Sequence, residues 1–108
     1  MAEAMILESV VLNVKEGQDA EFEAAARKAS PILARQKGHR AHRFQKCLEA
    51  EGRYLLLVWW DRLEDHTEGF RKSSDYDVWR KMLHHFYDPF PEVEHYAPLV
   101  REGQVPDD

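Results

Sequence analysis

Six histidines and three tryptophans stand among the 108 residues of this chain, and their spacing decides which could act together. His84 and His85 are adjacent in a stretch of helical periodicity. Neighbours on a helix sit ~100° apart, so only one of these rings can face inward. His85 follows Met82 by three and Val78 by seven, at the edge of the apolar stripe, whereas His84 follows Arg80 and Asp77 on the wetter side. His85 is therefore the expected inward ring, with His84 beside it. His66 shares a helix face with Leu63 and Phe70, at i−3 and i+4. An imidazole titrates near neutral pH and can take a proton from a phenol or an activated C–H. His66 and His85 are thus the candidate acid–base residues. For each, the alternative is a histidine hydrogen-bonded at the edge of the core.

Aromatic residues frame the same region. Trp59 and Trp60 are consecutive in a strand-like run, so they face opposite sides of a sheet, one toward a pocket and one away from it. Phe70, Trp79 and Phe86 lie on apolar helix faces and are the expected pocket walls. Tyr54, Tyr76 and Tyr96 could donate to a quinone-like oxygen. Glu8 is a carboxylate in an apolar strand, which must either pair or hold its proton more tightly; Arg43 across the sheet is the expected partner. On a regular strand His39 and His42 point to opposite faces and make a poor chelate. No His-x-His, His-Glu-x-x-His or cysteine-rich spacing is present, so no metal is expected. No glycine-rich phosphate loop and no G-x-S-x-G elbow is present either, so no nucleotide cofactor and no serine-hydrolase chemistry is expected.

Composition narrows the setting. With 44% hydrophobic and 32% charged residues the chain is neither a disordered tail nor a membrane span. No apolar run approaches the ~20 residues a membrane helix needs. A net charge of −5 argues against nucleic acid, and the one basic stretch, His39 to Arg43, is short. The start MAEAMILESVV is acidic where an export signal is basic. The lone Cys47 has no internal disulfide partner. A cytoplasmic protein is expected.

These residues need elements to position them. Met5 to Val14 reads as a strand, with Ile6, Val10, Leu12 and Val14 on one face and Met5, Leu7 and Val11 on the other. Both faces are apolar, so both should be covered. Lys15-Glu16-Gly17 is a turn, and Asp19 is the expected N-cap of a helix from Ala20 to about Gln36. That helix should bury Phe22, Ala25, Ala26, Ala29, Ile32 and Leu33. Pro31 predicts a kink or break near Ser30, and Gly38 ends the element. Arg40 to Leu48 reads as a second strand, Glu49 to Gly52 as a hairpin turn, and Arg53 to Trp60 as a central strand. Asp61 as N-cap, with Glu64 at the capping-box position, predicts a short helix to Lys72. Ser73-Ser74-Asp75 breaks and recaps the chain, and a third helix spans about Tyr76 to Phe86. Glu92 to Val100 reads as a last strand, and 101–108 as a frayed tail.

The order β-α-β-β-α-α-β is the ferredoxin-like order: one α+β domain over residues 1–108, with its core at about 5–100 and helices on one face of an antiparallel sheet. The opposite apolar face would expose a patch on the order of several hundred Å². Packing it against the same face of a second copy removes that patch, so a homodimer is expected.

The stretch RYLLLVWWDRLEDHTEGFRKSSDYDVWRKMLHHFYDPFPEVEHY, residues 53–96, and the upstream NVKEGQDAEFEAAARKASP resemble the antibiotic-biosynthesis-monooxygenase domain family, the dimeric α/β-barrel proteins. The resemblance covers nearly the whole domain. It implies a pocket between sheet and helices in each protomer and two sheets closed into one barrel. It also implies two function classes. One is a cofactor-independent monooxygenase of a small aromatic or quinol-type substrate, with His85 or His66 as base. The other is a non-catalytic protein that binds a small molecule in the same pocket. The haem-degrading branch of the family uses an Asn, a Trp and a His. Here Val10 or Val11, Phe70, and Arg80 or a neighbour stand at the matching places, so haem turnover is not expected.

Overall fold

The computed structural model describes residues 5–103. Four strands form one antiparallel sheet in the order β2-β3-β1-β4. They are β1 (Ile6–Asn13), β2 (His39–Lys46), β3 (Arg53–Trp60) and β4 (Val93–Tyr96). Helix α1 (Asp19–Ala34) joins β1 to β2, and a π-helical turn (Asp65–Phe70), α2 (Ser74–Leu83) and a 3₁₀ turn (His84–Phe86) join β3 to β4. This is the α+β, ferredoxin-like arrangement. β3 has the bounds its apolar run predicts, because a strand paired on both edges and covered by helices can be apolar throughout.

The helices cover the sheet face that carries Glu8, Val10 and Leu12 of β1 and Tyr54, Leu56, Val58 and Trp60 of β3, all buried. Helix α1 contributes Phe22, Ala26, Ala29, Ile32 and Leu33, and Ala25 packs against them. Phe22 is central to this core, with ring contacts to Phe44, Tyr54, Phe86 and Tyr87. Removing such a ring typically costs about 3–5 kcal/mol. On the opposite face Val11 and Tyr96 are each 47% exposed.

Several local expectations are corrected. Helix α1 runs through Pro31 without a break. Pro31 and Arg27 are both exposed, so the Arg27 carbonyl, which loses its helical donor, faces water. Asp19 is the first helical residue rather than the cap; Gln18 precedes it and caps with no side-chain bond. Asp61 does not cap the next helix, because its carboxylate is taken by Arg40 at 3.2 Å. Asp65 instead accepts from the Arg62 N–H. The next element is a π-turn, in which the Arg71 N–H reaches back to the His66 carbonyl. The wider turn leaves Leu63 40% exposed while His66 and Phe70 are buried. Ser73 does recap the chain, accepting from the Tyr76 N–H. The last strand is shorter than its apolar reach, ending at Tyr96. Of the expected frayed tail, 101–103 are exposed and 104–108 lie outside the described residues.

β2 carries the least expected feature. His39 pairs with Trp60 and Ala41 with Trp59, so Arg40 is the extra residue of a β-bulge. The bulge shifts the alternation by one. His39 and His42 therefore face the same side, and their rings meet at 2.7 Å between His39 Nε2 and His42 Nδ1. His42 Nε2 in turn lies 2.6 Å from the Ser30 hydroxyl of α1. The expectation that the two rings diverge fails because it assumed a regular strand. Gly38, at φ +83°, precedes this bulge, and a Cβ there would collide with the Asp65 carboxylate. That close approach fixes the start of β2 against the π-turn.

Candidate active site

A cavity of about 510 Å³ opens between the sheet and the α2 side of the helical layer. Val10, Leu12, Leu56 and Val58 form its floor, and Leu33, Phe70, Tyr76, Trp79 and Tyr87 its walls. Phe90, Pro91 and Glu92, in the loop after the 3₁₀ turn, lie at one side. The polar groups are few: Glu8, His66, Arg71, His84 and Glu92. An apolar space with a few convergent polar groups is the usual form of a small-molecule site.

Strand register and the π-turn bring the polar end together. Glu8 of β1 pairs across the sheet with His95 of β4, and both point to the helix side. The π-turn lays His66 over them. Glu8 Oε1 accepts from the Trp60 indole at 2.9 Å and lies 3.5 Å from His66 Nε2. His66 Nδ1 is 2.8 Å from His95 Nε2. The His66 ring stacks on Trp60, with centroids 5.6 Å apart and planes 20° apart. Glu8 and His66 are only 6% and 3% exposed.

Burial controls the charge of this group. Loss of water pushes the Glu8 carboxyl up to about 7, against the opposing pull of the Trp60 indole and the Arg71 cation. Loss of water also pushes His66 down to about 3, helped by Arg71 and His95. His95 is lowered by burial and by Arg71. Glu8 and His66 are therefore not an ion pair: the imidazole stays neutral, and the proton that titrates near neutral pH belongs to the carboxyl. Such a carboxyl is matched to general-base work at that pH. His84, also on the cavity, is lowered by burial and then by Arg80. Burial raises the Tyr87 phenol, so it keeps its proton.

The structure separates the residues the sequence brought forward. His66, Phe70, Trp79 and His84 line the cavity. His85 does not. It is exposed, against Phe86, while His84 turns inward to Tyr76 and Phe90. The helical spacing that favoured His85 ends at Leu83, and the tighter 3₁₀ turn rotates the two rings. Phe86 is buried against Phe22 rather than lining the cavity. Trp60 faces the helices but stands behind His66, so it positions the polar end without walling the space. Trp59 faces the open side of the sheet, beneath the Arg43 guanidinium. Arg43 is therefore on the far side from Glu8, and Trp60 and His66 are the partners Glu8 has instead. Sequence reasoning passed over His95, Arg71 and Tyr87. The strand parity shared by Glu8, Val10 and Leu12, and by Val93 and His95, was the signal available for His95. Among the described residues no group of three or more His, Cys, Asp or Glu is arranged to hold a metal ion. No described helix is long and apolar enough to cross a membrane.

Known proteins share this fold. The family model for antibiotic biosynthesis monooxygenase matches residues 5–82. The uncharacterized protein YczJ of Bacillus subtilis (strain 168) is 53% identical over 95 residues, 88% of this chain and 100% of that one. A crystal structure from Bordetella bronchiseptica, of a protein ascribed to the antibiotic biosynthesis monooxygenases, superimposes with a TM-score of 0.86. It is 32% identical and covers 91% of this chain and 100% of its own. SnoaB, a cofactor-independent oxygenase from Streptomyces nogalater, shares the fold with a TM-score of 0.69 at 17% identity, over 96% and 99% of the two chains. With more than half its length matched by one family model, this chain belongs to the antibiotic biosynthesis monooxygenase family.

Proposed function

We propose that this protein is a cofactor-independent monooxygenase of a small aromatic or quinol-type substrate held in the cavity between helices and sheet. The observation that carries the reading is the Glu8–His66 pair at the end of an apolar, aromatic-walled space. Phe70, Trp79 and Tyr76 offer flat surfaces to a ring, and His84 and Tyr87 offer polar contacts at its edge. The buried pair takes a proton from an acidic C–H or phenolic O–H. The resulting electron-rich anion passes one electron to O₂, and the two radicals join at a ring carbon. The peroxide so formed loses water and leaves a carbonyl. In balance, a CH₂ group and O₂ give C=O and H₂O, with no outside reductant. SnoaB, which has this fold, is an oxygenase that works without a cofactor. Haem turnover is outside this reading, since by the resemblance Phe70 stands where the haem-degrading branch has its Trp.

The test is oxygen uptake with a panel of anthrones and hydroquinones under ¹⁸O₂. One O₂ consumed per substrate, with one labelled atom in the product, supports the reading. Tight binding of the same compounds with no uptake favours the second reading, a non-catalytic binding protein.

The working unit is proposed to be a homodimer joined by the sheet face that the helices leave open. Leu7, Leu55, Leu57 and Trp59 lie on that face with the half-exposed Val11 and Tyr96. A monomer in sedimentation at micromolar concentration would refute this. The free thiol of Cys47 favours a cytoplasmic setting.

A further inference from the structure

A carboxyl buried in an apolar cavity needs a route by which it sheds a proton before it can serve as a base. Glu8 is 6% exposed, and the Trp60 indole occupies the same oxygen that faces His66. Bulk water has poor access to that carboxyl. A chain of polar neighbours nevertheless leaves it: Glu8 Oε1 lies 3.5 Å from His66 Nε2, at the outer limit of a hydrogen bond, and His66 Nδ1 lies 2.8 Å from His95 Nε2. Glu8 and His66 line the cavity, whereas His95 does not. His95 stands half-buried on β4, the edge strand of the sheet. The path therefore begins at the substrate space and ends at the surface.

We propose that Glu8, His66 and His95 form a proton wire through which Glu8 exchanges its proton with solvent at the β4 edge. This rests on the reading of the cavity as an oxygenase site. Two neutral-ring arrangements satisfy the same three positions. With Glu8 protonated, its O–H donates to His66 Nε2, His66 Nδ1–H donates to His95 Nε2, and His95 Nδ1 carries the last hydrogen of the chain. With Glu8 ionised, His66 Nε2–H donates to Glu8, His95 Nε2–H donates to His66 Nδ1, and His95 Nδ1 is bare. Three hops convert the first arrangement to the second and release one proton to water, and no imidazolium forms in either. Avoiding an imidazolium matters, because burial disfavours charge on His66. The same three hops in reverse restore the first arrangement, so the wire sets the ionisation of Glu8 in the resting site, and the proton Glu8 takes from substrate leaves in the product water. The other charged and titratable groups on the cavity are Arg71 at the end of the π-turn, His84 of the 3₁₀ turn and Glu92 of the loop after it, and of these Arg71 acts on Glu8 and on both histidines. Asp65, next to His66, points instead to the Arg62 N–H.

The tautomers report the wire without any substrate. Long-range ¹⁵N spectra of the resting protein should show His66 and His95 exchanging which ring nitrogen carries hydrogen, with one common midpoint between pH 5 and 9. In Glu8→Gln the exchange should vanish. Rings that each keep one tautomer throughout would overturn the wire, even if the protein oxygenates its substrate. Conversely, a coupled exchange in a protein that consumes no O₂ would leave the wire standing and remove the oxygenase reading.

Discussion

Two histidine pairs on this sheet look alike and differ in what surrounds them. His39 and His42 meet at 2.7 Å near one edge, and His66 and His95 at 2.8 Å near the other. The first pair ends on the Ser30 hydroxyl, and all three of its groups are half-buried. The second ends on a buried carboxyl and opens on a cavity. A hydroxyl does not titrate near neutral pH, so Ser30 brings the first pair a hydrogen bond and no charge. A carboxyl held up to about 7 does titrate there. Histidine proximity alone therefore marks no site. The buried acid beside it, and space for a ligand, make the difference.

The largest expected contrast is in turnover. Replacing His66 with Ala, or Glu8 with Gln, should lower kcat/KM for an accepted quinol or anthrone by about 10²–10⁴. His42→Ala, at the other pair, should leave it unchanged. Comparable losses at both pairs, measured by oxygen uptake, would erase the distinction drawn between them.

A second contrast lies in how stability depends on pH. Glu8 holds its proton more tightly folded than unfolded, up to about 7 from an ordinary value of 4.5. Its contribution is fully present below pH 4.5 and is lost as pH rises through 7. His66 is shifted the other way, down to about 3. Its contribution is present above its ordinary value and is lost as pH falls. Between about pH 4.5 and 6.5 the two oppose each other, so the wild-type curve is flat where each alone would slope. Glu8→Gln removes one of them. The variant should match the wild type near pH 4 and exceed it at pH 8 by on the order of 3 kcal/mol. Urea unfolding at the two pH values measures the difference. Equal stability at pH 8 would mean that the carboxyl is not held in its neutral form.

How far the sequence led differs between these regions for physical reasons. The bounds of β3 were legible because an apolar run from Tyr54 to Trp60 has no helical reading of that length. The recap at Ser73 was legible because a serine before a new helix has a direct role, accepting from Tyr76. The bulge at Arg40 was hidden because β2 mixes polar and apolar residues on both faces, so no alternation marks the extra residue. The turn inward of His84 was hidden because periodicity does not announce where an α-helix tightens to 3₁₀. Helical spacing puts His66 and Phe70 on one face, and both are buried, although the turn that carries them is π-helical. Glu8 stands out in the sequence as an acid in an apolar strand, but its partners come from the π-turn and from Trp60. Only tertiary structure brings those elements over β1.

The smallest effect should come from the half-buried pair. His39 is lowered by burial, the larger influence on it. Its folded form therefore resists protonation, and its contribution is present above its ordinary value near pH 6.5 and lost as pH falls. His39→Gln removes a ring that bonds His42. A bond of this kind is worth about 0.5–1.5 kcal/mol net. At pH 8 the variant should be less stable by no more than that amount. At pH 5 the wild type carries the cost of charging or suppressing charge on His39, which glutamine does not share, so the gap should narrow or reverse. Thermal unfolding at the two pH values tests the sign. A gap that widens on acidification would show that His39 is stabilised, not strained, by its proton. The distinction between a titrating carboxyl site and a plain hydrogen-bonded pair would then rest on Glu8 alone.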